Sequence, residues 1–409
     1  MRISTSMMFD TGTQNMLQLQ TGLYKLQNQL STGRRVLTPA DDPVAAAQAL
    51  VISQRQSINK QFIDNQGNAE SQLAGMESRL AGVGDLLQAV KTRAVEAGNG
   101  AYSDSDRRTI AAEIRERFDE LVGLANSSDA MGGYVFSGFR GDTQPFSTKG
   151  APGSRTTEYD GDDGSRQLQV DTGRMMDVSA SGRNVFMNIP QGNGQFKFSA
   201  IPNPTNPGTG VLGASSLITG YDDSSYELEF TGATTYNLTV TTNGVPAAPV
   251  SGTYTSGADI TLGPVGQQFK ISISGAPAAG DKFVVEPASN QDIFKTLDSM
   301  IKALEGNVSA TPASRAAFQN QMVNIGESLD QALDHMLSQQ TSIGARRLEL
   351  QSLTDVASDM NIQYKQDIAA LQDLDYTQAI SDMANQKMVL EAAQLSFQQV
   401  SQMSLFNYL

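Results

Sequence analysis

Apolar residues along this chain keep two rhythms. Near the start, Met16, Leu19, Leu23, Leu26 and Leu30 alternate spacings of three and four. Leu73, Met76, Leu80, Val83, Leu87, Val90, Ala94 and Ala97 repeat that step. In the last third it runs through Met322, Ile325, Leu329, Ala332 and Met336, then Ile343, Leu350, Leu353, Ala357, Met360 and Tyr364. Tyr376, Met383, Leu390 and Phe397 follow seven apart, with Ala379, Ala393 and Val400 three residues after three of them. Seams of this kind predict helices packed as coiled coils. Between the two helical parts the period changes to two. Tyr226, Leu228 and Phe230 alternate with polar residues, as do Tyr236, Leu238 and Val240. Asn243-Gly244 is a hairpin turn signal, and Phe269 to Ile273 and Lys282 to Val285 continue the strand series. The pattern predicts an antiparallel sandwich or small barrel inserted between two halves of one helical rod.

Local chemistry sets the boundaries. Asp42-Pro43 is a cap followed by a proline that gives up only an N–H already unpaired, so a helix starts there. No proline follows until after Ala97, which allows one helix of about 55 residues, roughly 80 Å long at 1.5 Å per residue. Gly98-Asn99-Gly100 stops it, and Ser103 or Ser105 caps the next, whose apolar face is Ile110, Ile114, Phe118, Leu121 and Ala125. Thr311-Pro312 is a second cap-and-proline start, for a helix reaching Tyr364 or beyond.

Composition narrows the chemistry. The 409 residues carry 29 Lys+Arg against 43 Asp+Glu, a net charge of −14. A nucleic-acid binder needs a basic face, so that class is excluded. There is no cysteine, hence no disulfide, thiolate metal site or thiol nucleophile. The single histidine, His335, has no identifiable nucleophile or orienting partner in the sequence and reads as a solvated helix-surface residue. Asp160-Gly161-Asp162-Asp163-Gly164 lacks the ligand spacing of a calcium loop and reads as a turn. Arg140-Gly141-Asp142 reads likewise. Arg34-Arg35 at the first chain break suits an ion pair or an inter-subunit contact as well as a bare solvated charge. No targeting segment and no membrane-spanning stretch is expected. The expected protein is no enzyme, with no cofactor, metal or small-molecule substrate.

The two ends need help to fold. Ordering each residue costs roughly 1–2 kcal/mol before hydrogen bonding, and a buried seam side chain returns only about 1.5–3 kcal/mol. The last five residues, Leu405-Phe406-Asn407-Tyr408-Leu409, are also apolar, where tails are ordinarily polar and frayed. Each end therefore requires the other, together with copies in neighbouring subunits. The expected assembly interface is Leu19, Leu23, Leu26, Leu390, Phe397, Val400, Leu405, Phe406 and Leu409.

Four stretches carry a resemblance. They are residues 31–50 (STGRRVLTPADDPVAAAQAL), 103–126 (SDSDRRTIAAEIRERFDELVGLAN), 133–138 (GYVFSG) and 375–409. Through them the chain resembles the bacterial flagellin family over about 260 residues of its two helical regions. Its opening MRIST and its ending SLFNYL are similar to the hook–filament junction branch of that family, where filament flagellins usually begin and end differently. The resemblance implies an α+β fold. Residues 1–42 and 375–409 would pair as an inner coiled coil, 43–140 and 291–374 would form a helical bundle, and 141–290 an inserted outer β domain. It implies a secreted structural subunit, exported through the flagellar type III channel and built as a ring of copies between hook and filament. Implied partners are itself, hook-associated protein 1, flagellin and an export chaperone. Two alternatives stand beside this reading: a filament flagellin, or an enzyme active in the inserted β domain.

Overall fold

The computed structural model describes residues 5–129 and 132–402. The fold divides into two compact units: residues up to 65 with those from 352 onward, and residues 66–351.

The first unit contains α1 (Thr5–Thr32), the start of α2 (Pro43–Ala97), the end of α6 (Pro312–Gln372) and α7 (Tyr376–Gln402). α1 packs along α7, with Phe9 edge-on to Phe397 at a ring separation of 5.4 Å. Beyond the helix ends the two connections run antiparallel. Leu374 N–H donates to the Gly33 carbonyl at 2.9 Å and Arg35 N–H to the Gln372 carbonyl at 2.7 Å. α2 begins where the Asp42-Pro43 pair places it: Asp42 Oδ1 accepts from Ala45 N–H at 3.0 Å. Asn59 Nδ2 donates to the Ala357 carbonyl of α6 at 2.6 Å, and Gln56 Nε2 to Asn361 Oδ1 at 2.9 Å. The seam of α6 is less completely covered toward its end: Ala357 is buried, Leu353 and Tyr364 are half-buried, and Met360 is 42% exposed.

The second unit holds the rest of α2 and α6 together with α3 (Asp104–Ala125) and α5 (Ile293–Leu304). The residues from Leu73 to Ala97 expected on the α2 seam are all buried, as are Met322, Ile325, Leu329, Ala332, Met336, Ile343 and Leu350 on α6. Ser103 caps α3 in a reciprocal box with Asp106. Arg347 of α6 reaches two carboxylates of α2, Glu70 at 2.6 Å and Glu77. Because both acids are α2 residues seven apart, this is a cross-link between helices.

The strands of this unit are β1 (Phe146–Lys149), β2 (Thr156–Tyr159), β3 (Gln167–Asp171), β4 (Arg174–Asp177), β5 (Ile189–Pro190), β6 (Phe196–Ile201), β7 (Val211–Leu217) and β8 (Ser225–Gly232). They continue with β9 (Thr235–Thr242), β10 (Val245–Pro246), β11 (Val250–Thr253), β12 (Asp259–Leu262), β13 (Phe269–Ser274), β14 (Lys282–Pro287) and β15 (Asn290–Gln291). The short helix α4 (Gly182–Phe186) lies between β4 and β5. β1–β2 and β3–β4 are hairpins, and β5 pairs with β15 as a two-residue stem. One larger sheet has the order β10-β9-β8-β14-β6, with β11 also on β9; the other is β12-β13-β7. All these pairings are antiparallel. Phe196, Leu228, Phe230 and Phe283 from the first sheet share one core with Phe269 and Ile271 from the second. The expected sandwich is present. Its β9–β10 turn is the Asn243-Gly244 pair, both at positive φ (52° and 78°), which is the hand that a two-residue hairpin requires.

An amide of the helix is built into the edge of the sandwich, and Val323 packs on its core. Buried Asn320 of α6 accepts from Leu212 N–H at 2.7 Å and donates to the Gly210 carbonyl at 3.0 Å. Its side chain thereby reproduces the hydrogen bonds that a neighbouring strand would offer to β7. Nearer the helices, Phe146 and Phe186 pack on Phe294 of α5 at 5.1 and 6.0 Å, and Phe294 on Phe118 of α3 at 6.2 Å.

Candidate assembly interface

The residues expected at an assembly interface are in the first unit. Met16, Leu19, Leu23, Leu26 and Leu30 are each half-buried in α1, and so are Met383 and Phe397 in α7, where Leu390 is buried. Five of the residues expected at the interface, Leu19, Leu23, Leu26, Leu390 and Phe397, are thus the covered ones of a helix pair within one chain. Val400 is 45% exposed. Leu405, Phe406 and Leu409 lie outside the described residues, as do both terminal motifs MRIST and SLFNYL in whole or part.

Each helix of the pair also leaves apolar residues open. Leu17 and Tyr24 on α1 are 61% and 69% exposed, and Met388 and Leu395 on α7 are 67% and 63% exposed. Each set is seven residues apart, on the side of its helix turned away from the seam. Apolar residues at heptad positions off the seam are the signal that would have found them. Large exposed apolar side chains in such a series mark a surface that another chain covers.

The connection from α1 to α2 is held by charge. Lys25 Nζ sits 2.7 Å from Asp41 Oδ1, and Asp41 Oδ2 accepts from Leu37 and Thr38 N–H at 3.1 and 2.9 Å. These contacts, the Lys25 bond foremost, lower the Asp41 carboxyl from 3.8 to about 2. Asp42 is lowered too, first by the Ala45 N–H and then by Arg35. Arg35 reads as the ion pair of the two options open for it: 3.2 Å from Asp42, and donating to the Leu371 carbonyl at 2.8 Å. A depressed carboxyl stabilises the folded state fully above its unfolded pKa and ceases to do so as pH falls through its folded one. The amides of Leu37 and Thr38 should therefore lose exchange protection between pH 4 and about 2. Asp41→Asn should show no such step; a step of equal size in that variant would exclude Asp41 as its cause.

The other candidate groups are spent on structure. His335 is half-buried, with Nε2 2.8 Å from the Asn184 carbonyl, so it is a tether to the α4 segment where a solvated side chain was expected. Asp160 accepts from Ser147 Oγ, Asp162 from Phe139 and Gly164 N–H, and Asp163 from Ser181 Oγ and Arg183 Nε. Those carboxylates hold a turn together. Among the described residues no group of acids and histidines could hold a metal ion, and no helix is long and apolar enough to cross a membrane.

A fold of helical ends around an inserted β region has counterparts in known proteins. Residues 3–140 match the family model described as the bacterial flagellin N-terminal helical region. The flagellar hook-associated protein 3 of Salmonella typhimurium is 27% identical over 406 residues, 99% of each chain. Flagellin B of Helicobacter pylori matches over only 61% of this chain and 51% of its own length. The crystal structure of Xanthomonas campestris FlgL is 32% identical, with a TM-score of 0.66 over 77% of this chain and 99% of that one. The flagellar junction protein FlgL of Legionella pneumophila is 30% identical, with a TM-score of 0.67 over 81% of this chain and 100% of that one. The chain belongs to the FlgL family. FlgL relatives match along their full length, inserted region included, whereas the flagellin matches are partial. The α+β fold with helical ends is the fold of this family, and its members are structural flagellar proteins.

Proposed function

We propose that this chain is the structural subunit that joins hook to filament. The carrying observation is the match along 99% of hook-associated protein 3, against about half the length of flagellin B. The exposed apolar residues on the two outer faces of the pair, Leu17 and Tyr24 on α1 and Met388 and Leu395 on α7, support assembly into a ring of copies. In that reading residues 1–42 and 375–409 form the inner layer, 43–140 with 291–374 the bundle around it, and 141–290 the outer domain. Leu19, Leu23, Leu26, Leu390 and Phe397 build the helix pair, and Val400, Leu405, Phe406 and Leu409 extend its contact with neighbours. Hook-associated protein 1 lies on one side and flagellin on the other. The subunit reaches this extracellular place unfolded through the flagellar type III channel, with a chaperone on its C-terminal helices.

An adaptor must accept a different partner and stop, where flagellin accepts itself without limit. A preference of about 1.4 kcal/mol per interface gives tenfold discrimination, and several interfaces per subunit multiply it. Purified protein should therefore grow no long filaments, even on seeds of its own fragments. A strain lacking the gene should keep its hooks and shed flagellin monomers into the medium. Long homopolymers in electron micrographs would instead make the chain a filament subunit.

A further inference from the structure

α1 contains two glycines inside the helix, at 12 and 22, and a third just past its end, at 33. Gly12 and Gly22 each weaken the helix by about 1 kcal/mol relative to alanine, a poor choice for an end that is hard to fold, whereas Gly33 stands where a helix ordinarily ends on glycine. All three stand against α7. A methyl group added at Gly12 would lie 2.9 Å from Cδ2 and 3.1 Å from Cε2 of Phe397. At Gly22 it would lie 2.9 Å from Gln386 Oε1, and at Gly33 2.8 Å from the Tyr376 hydroxyl oxygen. The glycines are ten and eleven residues apart, and their partners Phe397, Gln386 and Tyr376 eleven and ten. Three turns of α-helix take about 10.8 residues, so both sets recur on one face of their helices, in opposite directions.

The three notches differ in hardness. Phe397 is a planar ring whose position is fixed by Phe9 across it. Gly33 has φ of +69°, a conformation that side chains rarely adopt, and the Tyr376 hydroxyl fills the space where one would go. Gln386 presents the end of a flexible side chain whose buried Oε1 has no hydrogen-bond partner, so it can swing aside. We propose that Gly12 and Gly33 are register-setting residues of the α1–α7 pair. Held at both ends, the pair cannot slide, and Leu17 and Tyr24 on the outer face of α1 keep a fixed level along the pair relative to Met388 and Leu395 on the outer face of α7. The lock therefore determines the surface that a neighbouring subunit meets, a step that rests on the assembly reading above.

Helix propensity alone makes Gly12→Ala and Gly22→Ala equivalent, both strengthening α1. The lock separates them. In the purified full chain, where α1 packs on α7 of the same chain, amide exchange across α1 should be several-fold faster than wild type in Gly12→Ala, and equal or slower in Gly22→Ala. In a strain lacking the gene, Gly12→Ala and Gly33→Ala should each restore filaments to about tenfold fewer cells than wild type, at equal secretion. Gly22→Ala should stay within about twofold. Adding Phe397→Leu to Gly12→Ala should recover most of the loss, because the smaller side chain vacates the notch. Equal behaviour of Gly12→Ala and Gly22→Ala in exchange, or no recovery in the double variant, overturns the lock. If exchange separates the variants while wild type itself restores no filaments, the junction reading fails and the lock stands.

Discussion

Phe294→Ala should lower the stability of the 66–351 unit by about 3–5 kcal/mol, the range for truncating a fully packed phenylalanine. The side chain is buried between Phe146, Phe186 and Phe118, and those three rings come from three separate segments. Local backbone movement cannot bring rings from three segments together over the cavity, so the cost should fall in the upper part of that range. Since whole domains are stable by only about 5–15 kcal/mol, the variant should unfold at a markedly lower urea concentration. Phe139 offers the contrast, being 67% exposed; its replacement by alanine should move the midpoint little. A loss below about 1 kcal/mol at Phe294 would mean that the aromatic cluster does not hold the helices to the hairpins.

Removing the inserted region should succeed or fail according to where the cut is made. The chain enters and leaves the sandwich through the β5–β15 stem, where Asn290 faces Pro190 and Gln291 faces Ile189, and Gln191 N–H donates to the Ser289 carbonyl at 3.0 Å. Excising 192–288 and closing the stem with Asn-Gly uses a turn that suits a two-residue hairpin. The product should melt cooperatively and still support filaments. Excising 141–290 also removes Phe146 and Phe186, and so uncovers Phe118 and Phe294. Exposing two such rings costs about 3–6 kcal/mol at 1.5–3 kcal/mol each. That shortened chain should melt early or fail to accumulate. If both cuts behave alike, the hairpins β1–β4 contribute nothing to the helical bundle.

What the sequence made legible was local. Asp42-Pro43, Ser103 and Thr311-Pro312 mark helix starts because capping is an exchange between residues three or four apart. The buried faces of α2 and α3 follow from their period, and β8, β9, β13 and β14 from theirs. The missed features all join distant segments. Nothing near Asn320 announces that its amide faces Gly210 and Leu212, more than 100 residues away. The two-residue strands β5 and β15 are too short to carry a period. His335 reads as a surface residue until the Asn184 carbonyl is placed beside it. In the α1–α7 pair the covered seam was visible, and the exposed Leu17, Tyr24, Met388 and Leu395 were not, because apolar residues in a second heptad phase carry no mark of whether a partner covers them.

The amide of Asn320 has a further effect. A sheet ends in a row of unpaired N–H and C=O groups, which attract any strand that comes near. In the proposed ring, copies tethered side by side would meet at effective concentrations in the millimolar range, where even weak strand exchange between neighbours would fuse them. On β7 part of that row is already occupied by the helix. On the far side of the other sheet, Pro246 and Pro249 interrupt the strand that borders β9, and a proline has no N–H to offer. At these two edges, identical sandwiches can be crowded together and remain separate bodies.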